Sequence, residues 1–411
     1  MQKKVIRHTE MKYFKISGRH LLAGGKTIEQ IAAIAGQTPF YIYDRAIVLQ
    51  KISEFRQHIP APIALHYAMK ANPMPSLVSY IADHVDGLDV ASQKEMLIAL
   101  GTNIPPQKIS FAGPGKLPLE IAAAIAAGIT LNIESELELD RALEIGRSLS
   151  LTPRLAIRVN PDFELKSSGM KMGGGPKQFG IDAERVPAAI QKIISSEANF
   201  IGLHIYSGSQ NLKFESLIEA HNKTFELAAR ICQESNSDLQ KLNIGGGFGI
   251  PYFPGESPLE LEPIGQNLQI LLDKFSEDFK STQIVMELGR FLVGECGLYV
   301  SRVNDKKVSR GHTYLIADGG LHHHLANSGN FGQVIRKNYP VAIANRMDGA
   351  EFENVSIVGP LCTPLDTLAD KIDLPKAELE DLVAIFQSGA YGATASPRGF
   401  LSQPDLVELL L

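Results

Sequence analysis

Short apolar runs alternate with amphipathic stretches along the chain from Phe40 to about Phe291. Runs rich in aliphatic and β-branched residues predict buried strands, whereas apolar residues at helical spacing predict helices. Eight runs predict strands, at residues 63–68, 87–90, 108–111, 129–133, 154–159, 201–206, 242–244 and 284–287. Helical patterns lie between them, as at residues 92–100, 118–127, 135–148 and 264–280. Eight such alternations predict an α/β fold with a (β/α)8 barrel, whose functional groups collect at the carboxyl ends of its strands.

The pattern changes after Phe291. Further strands are predicted with turns between them and little helix, at residues 297–303, 313–317, 355–358 and 381–387. This spacing indicates a β domain rather than more barrel. We therefore expect a barrel over residues 39–291 and a C-terminal β domain, a β-barrel or sandwich, over residues 292–411.

Lys70 directly follows the first predicted strand, in the string Tyr-Ala-Met-Lys70-Ala-Asn. A partly desolvated lysine at the mouth of a barrel can lose its proton and form a Schiff base with an aldehyde cofactor. A surface lysine at a strand end would show the same local sequence. The choice between these interpretations depends on the motifs downstream.

Those motifs come in a fixed order. The glycines 245–247 follow a short strand, where bare backbone amides can approach a phosphate, although the Lys-Ser/Thr ending of a nucleotide P-loop is missing. Glu287 ends the last predicted strand and can keep a pyridine nitrogen protonated, and Arg290 suits a phosphate. Cys362 lies on a predicted turn after Gly-Pro-Leu, and Tyr391 lies beside flexible glycines. Each piece has an ordinary structural explanation, but the ordered set indicates one cofactor site.

From about Thr38 to its C-terminus the chain resembles the fold-type III pyridoxal-phosphate-dependent decarboxylases, which include the diaminopimelate, ornithine and arginine enzymes. The motifs Tyr-Ala-Met-Lys70-Ala-Asn, Glu287-Leu-Gly-Arg290 and Gly-Pro-Leu-Cys362 carry this resemblance. Residues 318–324, 337–340 and 359–364 resemble a narrower branch more closely. That branch comprises the exosortase A system-associated decarboxylases and the L-glutamyl-carrier-protein decarboxylase of butirosin biosynthesis.

The resemblance implies pyridoxal 5'-phosphate as the cofactor and a homodimer with its active sites at the interface. It implies that Lys70 holds the cofactor, that Cys362 donates a proton from the partner subunit, and that residues 1–38 join the β domain. The implied cofactor contacts are Lys70, Asp89, Arg158, Tyr206, Ser209, Gly245, Gly246, Gly247, Glu287, Arg290 and Tyr391. The implied substrate contacts are His204, Arg336, Tyr339, Thr363 and Asp366.

Two departures from the family pattern bear on function. Tyr206 occupies the position where related decarboxylases stack a histidine on the cofactor ring, a role that a tyrosine can also fill. Pro340 and Thr363 occupy positions where diamine-forming decarboxylases carry carboxylates that bind a distal ammonium. We therefore expect a substrate whose distal group is neutral or leaves the pocket, such as a glutamyl-like amino acid held as a thioester on an acyl-carrier protein.

Other functions stay open at this point. They are decarboxylation of a free amino acid such as diaminopimelate or ornithine, and isomerisation by an alanine-racemase-like enzyme. The predicted β domain disfavours a non-catalytic cofactor carrier, which would be a single barrel. The presence of Lys70 and Cys362 disfavours an inactive regulator.

Composition and charge limit the partners and the cellular compartment that we expect for the protein. The net charge of −5 over 411 residues, with scattered lysine and arginine, gives no reason to expect nucleic acid. No stretch has the length of a membrane span, and the basic N-terminus lacks the apolar core of a signal peptide. Three irregularly spaced cysteines favour the reducing cytoplasm. No metal site is expected at the histidines 322–324, because successive strand residues point to opposite faces.

Overall fold

The computed structural model describes residues 8–164, 170–171, 174–331, 333 and 336–411. Two compact units make up the chain. One comprises Lys51–Ile250 and Pro258–Phe291, and the other comprises the residues up to Gln50, Pro251–Ser257 and Leu292–Leu411. None of the helices in the described ranges is long and apolar enough to cross a bilayer.

The first unit contains a closed barrel of eight parallel strands, which confirms the predicted fold. The strands are β1 (Ala64–Ala68), β2 (Gly87–Val90), β3 (Ile109–Phe111), β4 (Thr130–Ile133), β5 (Arg154–Asn160), β6 (Asn199–Ile205), β7 (Lys241–Gly246) and β8 (Gln283–Leu288). Each strand pairs with the next along the chain. The pairing of β8 with β1 closes the ring, with Glu287 opposite His66.

Helices connect the barrel strands at the places that the sequence pattern predicts. A helix at Arg45–His58 precedes β1, and the others are Pro75–Ala82, Gln93–Leu100, Pro118–Ala127, Glu136–Leu149, Val186–Ile194, Phe214–Ser235 and Glu262–Lys274. Ser92 and Ser135 cap two of these helices, each accepting from the amide three residues on, and this fixes where the helices begin. Three short strands lie outside the ring of eight, at Met170–Lys171, Ile181–Asp182 and Gly208–Ser209.

The interior of the barrel carries polar side chains. His204 on β6 approaches Glu287 on β8, although β7 lies between these two strands in the sheet. Side chains can meet across an intervening strand only on the inner face of the barrel, because strand residues alternate between its two faces. The buried polar residues of the barrel strands are His66, Asp89, Ser110, Thr130, Asn132, Arg158, Asn160, His204, Asn243 and Glu287. Since polar groups are costly to bury, this set marks the barrel core as a functional centre.

The second unit is the β domain. Its large sheet contains Phe40–Tyr43, Gly297–Ser309, His312–Ala317, Val341–Ile343, Phe352–Val358, Thr367–Pro375, Leu382–Ile385 and Val407–Leu410. A three-stranded sheet, Ile16–Ser17, His20–Ala23 and Lys26–Thr27, leads into the helix Ile28–Ala35. Thr27 caps this helix through a reciprocal pair of hydrogen bonds with Gln30.

The observed division of the chain differs from the predicted boundaries in two places. Phe40–Tyr43 was expected at the start of the barrel, but it pairs with Gly297–Ser309 and with Val407–Leu410 in the β domain. A short buried apolar run has the same pattern in a barrel strand as in a strand of the β domain, so the sequence pattern does not show to which of the two it belongs. The segment Pro251–Ser257 also belongs to the β-domain unit, although it falls between β7 and its following helix.

Candidate active site

Lys70 lies in a single 3-10 turn, Met69–Ala71, directly after β1. Its side chain is exposed, and its Nζ lies 5.2 Å from the centroid of the Tyr206 ring. Tyr206 is the residue after β6 and is itself buried. The structure therefore brings together the lysine and the aromatic ring that are both predicted to contact the cofactor.

Glu287 is buried near the end of β8. Its Oε2 accepts a hydrogen bond of 3.1 Å from Asn243 Nδ2 and lies 3.3 Å from His204 Nε2. Burial by itself raises the pKa of Glu287, but its interactions with His204, Lys70 and Arg158 outweigh burial and lower the pKa below its ordinary value. The carboxylate is therefore ionised at neutral pH and can hold a protonated ring nitrogen.

The glycines 245–247 form a tightly packed backbone segment, here called the glycine cradle. A Cβ on Gly246 would lie 1.8 Å from the Glu287 carbonyl oxygen, so only glycine allows this approach of β7 to β8. Gly247 has a φ of +78°, and its carbonyl accepts from the amide of Asn211 at 2.9 Å. The amide of Gly249 in turn donates to the Asn211 carbonyl at 2.8 Å. These bonds fix the loop that carries Ser209 beside the glycines, as a phosphate site requires.

Arg158 and Asp89 are buried in polar contacts within the barrel. Arg158 Nη1 donates to Glu134 Oε1 at 2.9 Å, and its guanidinium lies over the Phe179 ring, 4.8 Å from the centroid. Asp89 accepts from the Ser110 hydroxyl and lies 3.3 Å from His66 Nδ1. Direct contacts of Arg158 and Asp89 with the cofactor stay predictions.

The β domain holds the other predicted site residues. Cys362 is exposed on a turn, and Thr363 after it is half-buried. Asp366 is only 2% exposed, and its carboxylate accepts from the amides of Leu321 at 2.6 Å and Leu361 at 2.8 Å. Asp366 therefore joins the Cys362 turn to the segment that begins the histidine run 322–324.

Two glycines make room for this carboxylate. A Cβ on Gly320 would lie 2.1 Å from Asp366 Oδ1, and a Cβ on Gly359 would lie 2.3 Å from Oδ2. Burial raises the pKa of Asp366, while the amides of Leu321 and Leu361 oppose that rise. The predicted substrate contact of Asp366 stays untested, but both of its oxygens are occupied by backbone donors in this structure.

Asp366→Asn should destabilise the protein by about 1–3 kcal/mol, because the amide NH2 would face a backbone donor that has lost its acceptor. Asp373→Asn is the matched control, since Asp373 is exposed on a strand and its loss should change the free energy of unfolding by less than about 0.5 kcal/mol. Denaturant unfolding measures both values. Equal, small effects would show that Asp366 does not fix the Cys362 turn.

The predicted site residues Arg336, Tyr339 and Tyr391 all contact other residues of the β domain. Arg336 donates to the carbonyls of Ser328 at 3.2 Å and Thr367 at 3.0 Å and to Asn338 Oδ1 at 2.9 Å. Tyr339 is buried with its ring 4.6 Å from that of Tyr252, and the Tyr391 ring lies 6.4 Å from that of Phe331. Arg336 and Tyr339 are thus integrated into the β domain, and their substrate contacts stay predictions.

The sequence interpretation missed three residues that shape the site. Asn243 hydrogen-bonds Glu287, Glu134 binds Arg158, and Asn211 fixes the cradle. The available signal was polarity: Asn243 interrupts the apolar strand Leu-Asn-Ile, and Glu134 follows β4 directly, as other charged residues follow their strands.

A (β/α)8 barrel with a lysine after its first strand, a carboxylate on its last and a glycine cradle between them has the plan of the fold-type III pyridoxal-phosphate enzymes. The sequence profile of the pyridoxal-binding domain of pyridoxal-dependent decarboxylases matches residues 45–294, more than half of the chain. The protein therefore belongs to the pyridoxal-dependent decarboxylase family. It is a carboxy-lyase, and its cofactor is pyridoxal 5'-phosphate.

Individual relatives agree with this assignment. The chain is 36% identical over 380 residues to an L-glutamyl-[BtrI acyl-carrier protein] decarboxylase from Niallia circulans, covering 91% of this chain and 89% of the relative. It is 30% identical over 402 residues to the diaminopimelate decarboxylase of Aquifex aeolicus, covering 97% and 92%. The crystal structure of diaminopimelate decarboxylase from Helicobacter pylori complexed with L-lysine matches with a TM-score of 0.82 and 29% identity, over 93% and 94% of the two chains. The fold is thus shared along nearly the whole chain.

Proposed function

We propose that this protein decarboxylates a glutamyl-like L-amino acid that is presented as a thioester on an acyl-carrier protein. The family establishes decarboxylation of an amino acid with pyridoxal phosphate. The relative from Niallia circulans, whose substrate is a glutamyl group on a carrier protein, supports the carrier-bound substrate. The diaminopimelate decarboxylases make a free amino acid the second candidate.

Each side chain of the proposed site has its own role in the decarboxylation. The bound cofactor supplies an aldehyde for the substrate amine and a cationic ring that accepts the electron pair left when CO2 departs. Lys70 holds the aldehyde, and Glu287 keeps the ring nitrogen protonated. Ser209 and the glycines 245–247, with Arg290 and Tyr391, bind the phosphate, and Tyr206 covers the ring. Cys362 returns a proton to the carbon that loses CO2.

The choice of substrate rests on the lack of an available carboxylate in the Cys362 turn, residues 359–367. Asp366 is the only acidic residue in 359–367, and both of its oxygens accept backbone amides. The residue after the cysteine is Thr363, which cannot pair with an ammonium group as a carboxylate does. The turn therefore offers no ionised group for the distal ammonium of ornithine, lysine or diaminopimelate. An uncharged distal end, as in an amide or thioester, suits this surface.

We infer that the protein acts as a homodimer in which the partner subunit supplies Cys362. The resemblance to the decarboxylases of this fold supports this arrangement. The exposure of the Cys362 thiol on its turn is also consistent with a group that serves a neighbouring subunit.

The experiment is a decarboxylation assay with purified, cofactor-loaded protein. Glutamyl- and other aminoacyl-carrier-protein thioesters are compared with free glutamate, diaminopimelate, ornithine and lysine, by CO2 release and product mass. We expect turnover of a thioester and kcat/KM values at least about 100-fold lower for the free amino acids, since binding energy from the carrier is lost. Turnover of free diaminopimelate alone would overturn the proposal in favour of the second candidate.

Thr363 allows a matched test of the distal pocket. Thr363→Glu should raise kcat/KM for diaminopimelate about tenfold or more over Thr363→Gln, because a charge-assisted hydrogen bond adds about 1.5–3 kcal/mol. Thr363→Gln has the same size and no charge, so the comparison isolates the carboxylate. Equal values for the two variants would show that residue 363 does not face the distal end of the substrate.

A further inference from the structure

His204 is the buried group that the proposed chemistry leaves without a role. It lies on β6, opposite Arg158 of β5 and Asn243 of β7, and is 2% exposed. Neither of its ring nitrogens makes a hydrogen bond of good geometry with a described residue. Burying two polar nitrogens is costly unless they interact with a charged neighbour. The neighbour is Glu287, whose Oε2 lies 3.3 Å from His204 Nε2.

The carboxylate of Glu287 contacts two side chains of the barrel. Oε2 accepts from Asn243 Nδ2 at 3.1 Å and also lies 3.3 Å from His204 Nε2, so both of these barrel side chains contact the same oxygen. Asn243 is itself fixed, because its Oδ1 accepts from the Gly245 amide at 2.8 Å. One oxygen of Glu287 is thus held by Asn243 and faced by His204.

The charged and titratable groups around this pair come from β1, β2 and β5 and from the turn after β1. Lys70 at the end of β1 and Arg158 on β5 act on Glu287 together with His204. His66 of β1 is the register partner of Glu287, and it lies 3.3 Å from Asp89 of β2. Arg158 is also neutralised by Glu134. His204 Nε2 lies 3.3 Å from the Glu287 carboxylate, within the range of a direct electrostatic contact.

We propose that His204 is a positioning residue of the cofactor site, whose imidazole fixes Glu287 Oε2 so that Oε1 meets the ring nitrogen of pyridoxal phosphate. In this role the 3.3 Å contact between His204 Nε2 and Oε2 becomes a hydrogen bond when the cofactor is bound, and Oε1 faces the protonated ring. This role is separate from the substrate contact that the resemblance implies for His204, which stays a prediction, and it rests on the proposed role of Glu287.

The test measures the dissociation constant of pyridoxal phosphate from the apoenzyme, followed by the absorbance of the bound cofactor. His204→Leu fills a similar volume without a donor, and His204→Gln keeps an amide donor that does not titrate. We expect His204→Leu to weaken binding about tenfold or more and His204→Gln to stay within about threefold of the wild type.

A second probe isolates the ring nitrogen. The 1-deaza analogue of pyridoxal phosphate has a CH group in place of that nitrogen, so it cannot be bound by Glu287 Oε1. For this analogue the wild type, His204→Leu and His204→Gln should bind equally within about threefold. Should His204→Leu fail to fold, His204→Asn, whose amide is too short to reach, takes its place.

Three results would overturn the proposal. Equal losses for pyridoxal phosphate and its deaza analogue would mean that His204 only supports the local structure. A His204→Gln variant as weak as His204→Leu would exclude the hydrogen bond to Oε2, and unchanged binding in every variant would exclude any role at the cofactor. No substrate enters these measurements, so they stand even if the proposed thioester is not turned over.

Discussion

Lys70→Ala should abolish turnover, with a fall in kcat of about 10,000-fold or more, because the amine that holds the cofactor aldehyde is lost. Lys70 is placed for this task by the turn Met69–Ala71 after β1, with its Nζ 5.2 Å from the centre of the Tyr206 ring. The loss should be chemical rather than structural, since the side chain is exposed. CO2 release measures the effect.

Two comparisons sharpen this prediction. Lys94→Ala removes another exposed lysine, on the helix after β2, and should keep wild-type activity. Borohydride reduction of the loaded enzyme followed by peptide mapping should place the cofactor on Lys70 in the wild type and in Lys94→Ala. A cofactor that is still covalently attached in Lys70→Ala, at another lysine, would contradict the assignment.

The barrel was predictable because its strands are buried on both faces. Such strands contain continuous apolar runs, as at residues 284–286 of β8, and turns or helix caps bound them. The cofactor residues Lys70 and Glu287 were predictable from the same strand pattern, because each is a charged residue at the end of a mainly apolar strand. The carboxyl ends of parallel strands meet at one rim of the barrel, so sequence position alone brings them together.

The β domain was harder to predict, for reasons that its strands make clear. Val341–Ile343 has only three residues and exists as a strand because it pairs with Leu382–Ile385. Thr367–Pro375 alternates apolar residues with Asp370 and Asp373, which resembles a polar loop until its partner, Phe352–Val358, is known. Short or half-exposed strands depend on partners that are distant in sequence, and periodicity does not identify those partners.

The polar contacts inside the barrel also needed the structure. The resemblance implies a substrate contact for His204, which stays a prediction, but it gives no sign of a contact with Glu287. The structure shows that His204 is buried against Glu287, two strands away. Which polar side chains meet across a barrel depends on strand register and on bulges such as the one between Asn243 and Gly246. A single sequence does not encode that register in any local pattern.

Cys362→Ala should lower kcat by roughly 100- to 10,000-fold, the usual contribution of a positioned acid, while the affinity for pyridoxal phosphate stays unchanged. Cys232→Ala is the matched control: burial, assisted by the charges of Asp238 and Asp278, raises the pKa of the Cys232 thiol to about 12, so it is a poor proton donor. The control should keep its activity within about twofold. Iodoacetamide should also inactivate the wild type by modifying the exposed Cys362 before the other thiols.

Mixing two inactive variants tests which subunit supplies the thiol. If Cys362 acts on the partner's cofactor, a mixed dimer of Lys70→Ala and Cys362→Ala has one site with both mutations and one site with neither. Random reassociation of equal amounts makes half of the dimers mixed, so about one quarter of the wild-type activity should return. If Lys70 and Cys362 of the same chain formed each site, every site would carry one mutation, and mixing would restore nothing. Recovery near one quarter would therefore show a shared site and a catalytic dimer, and its absence after verified subunit exchange would contradict both.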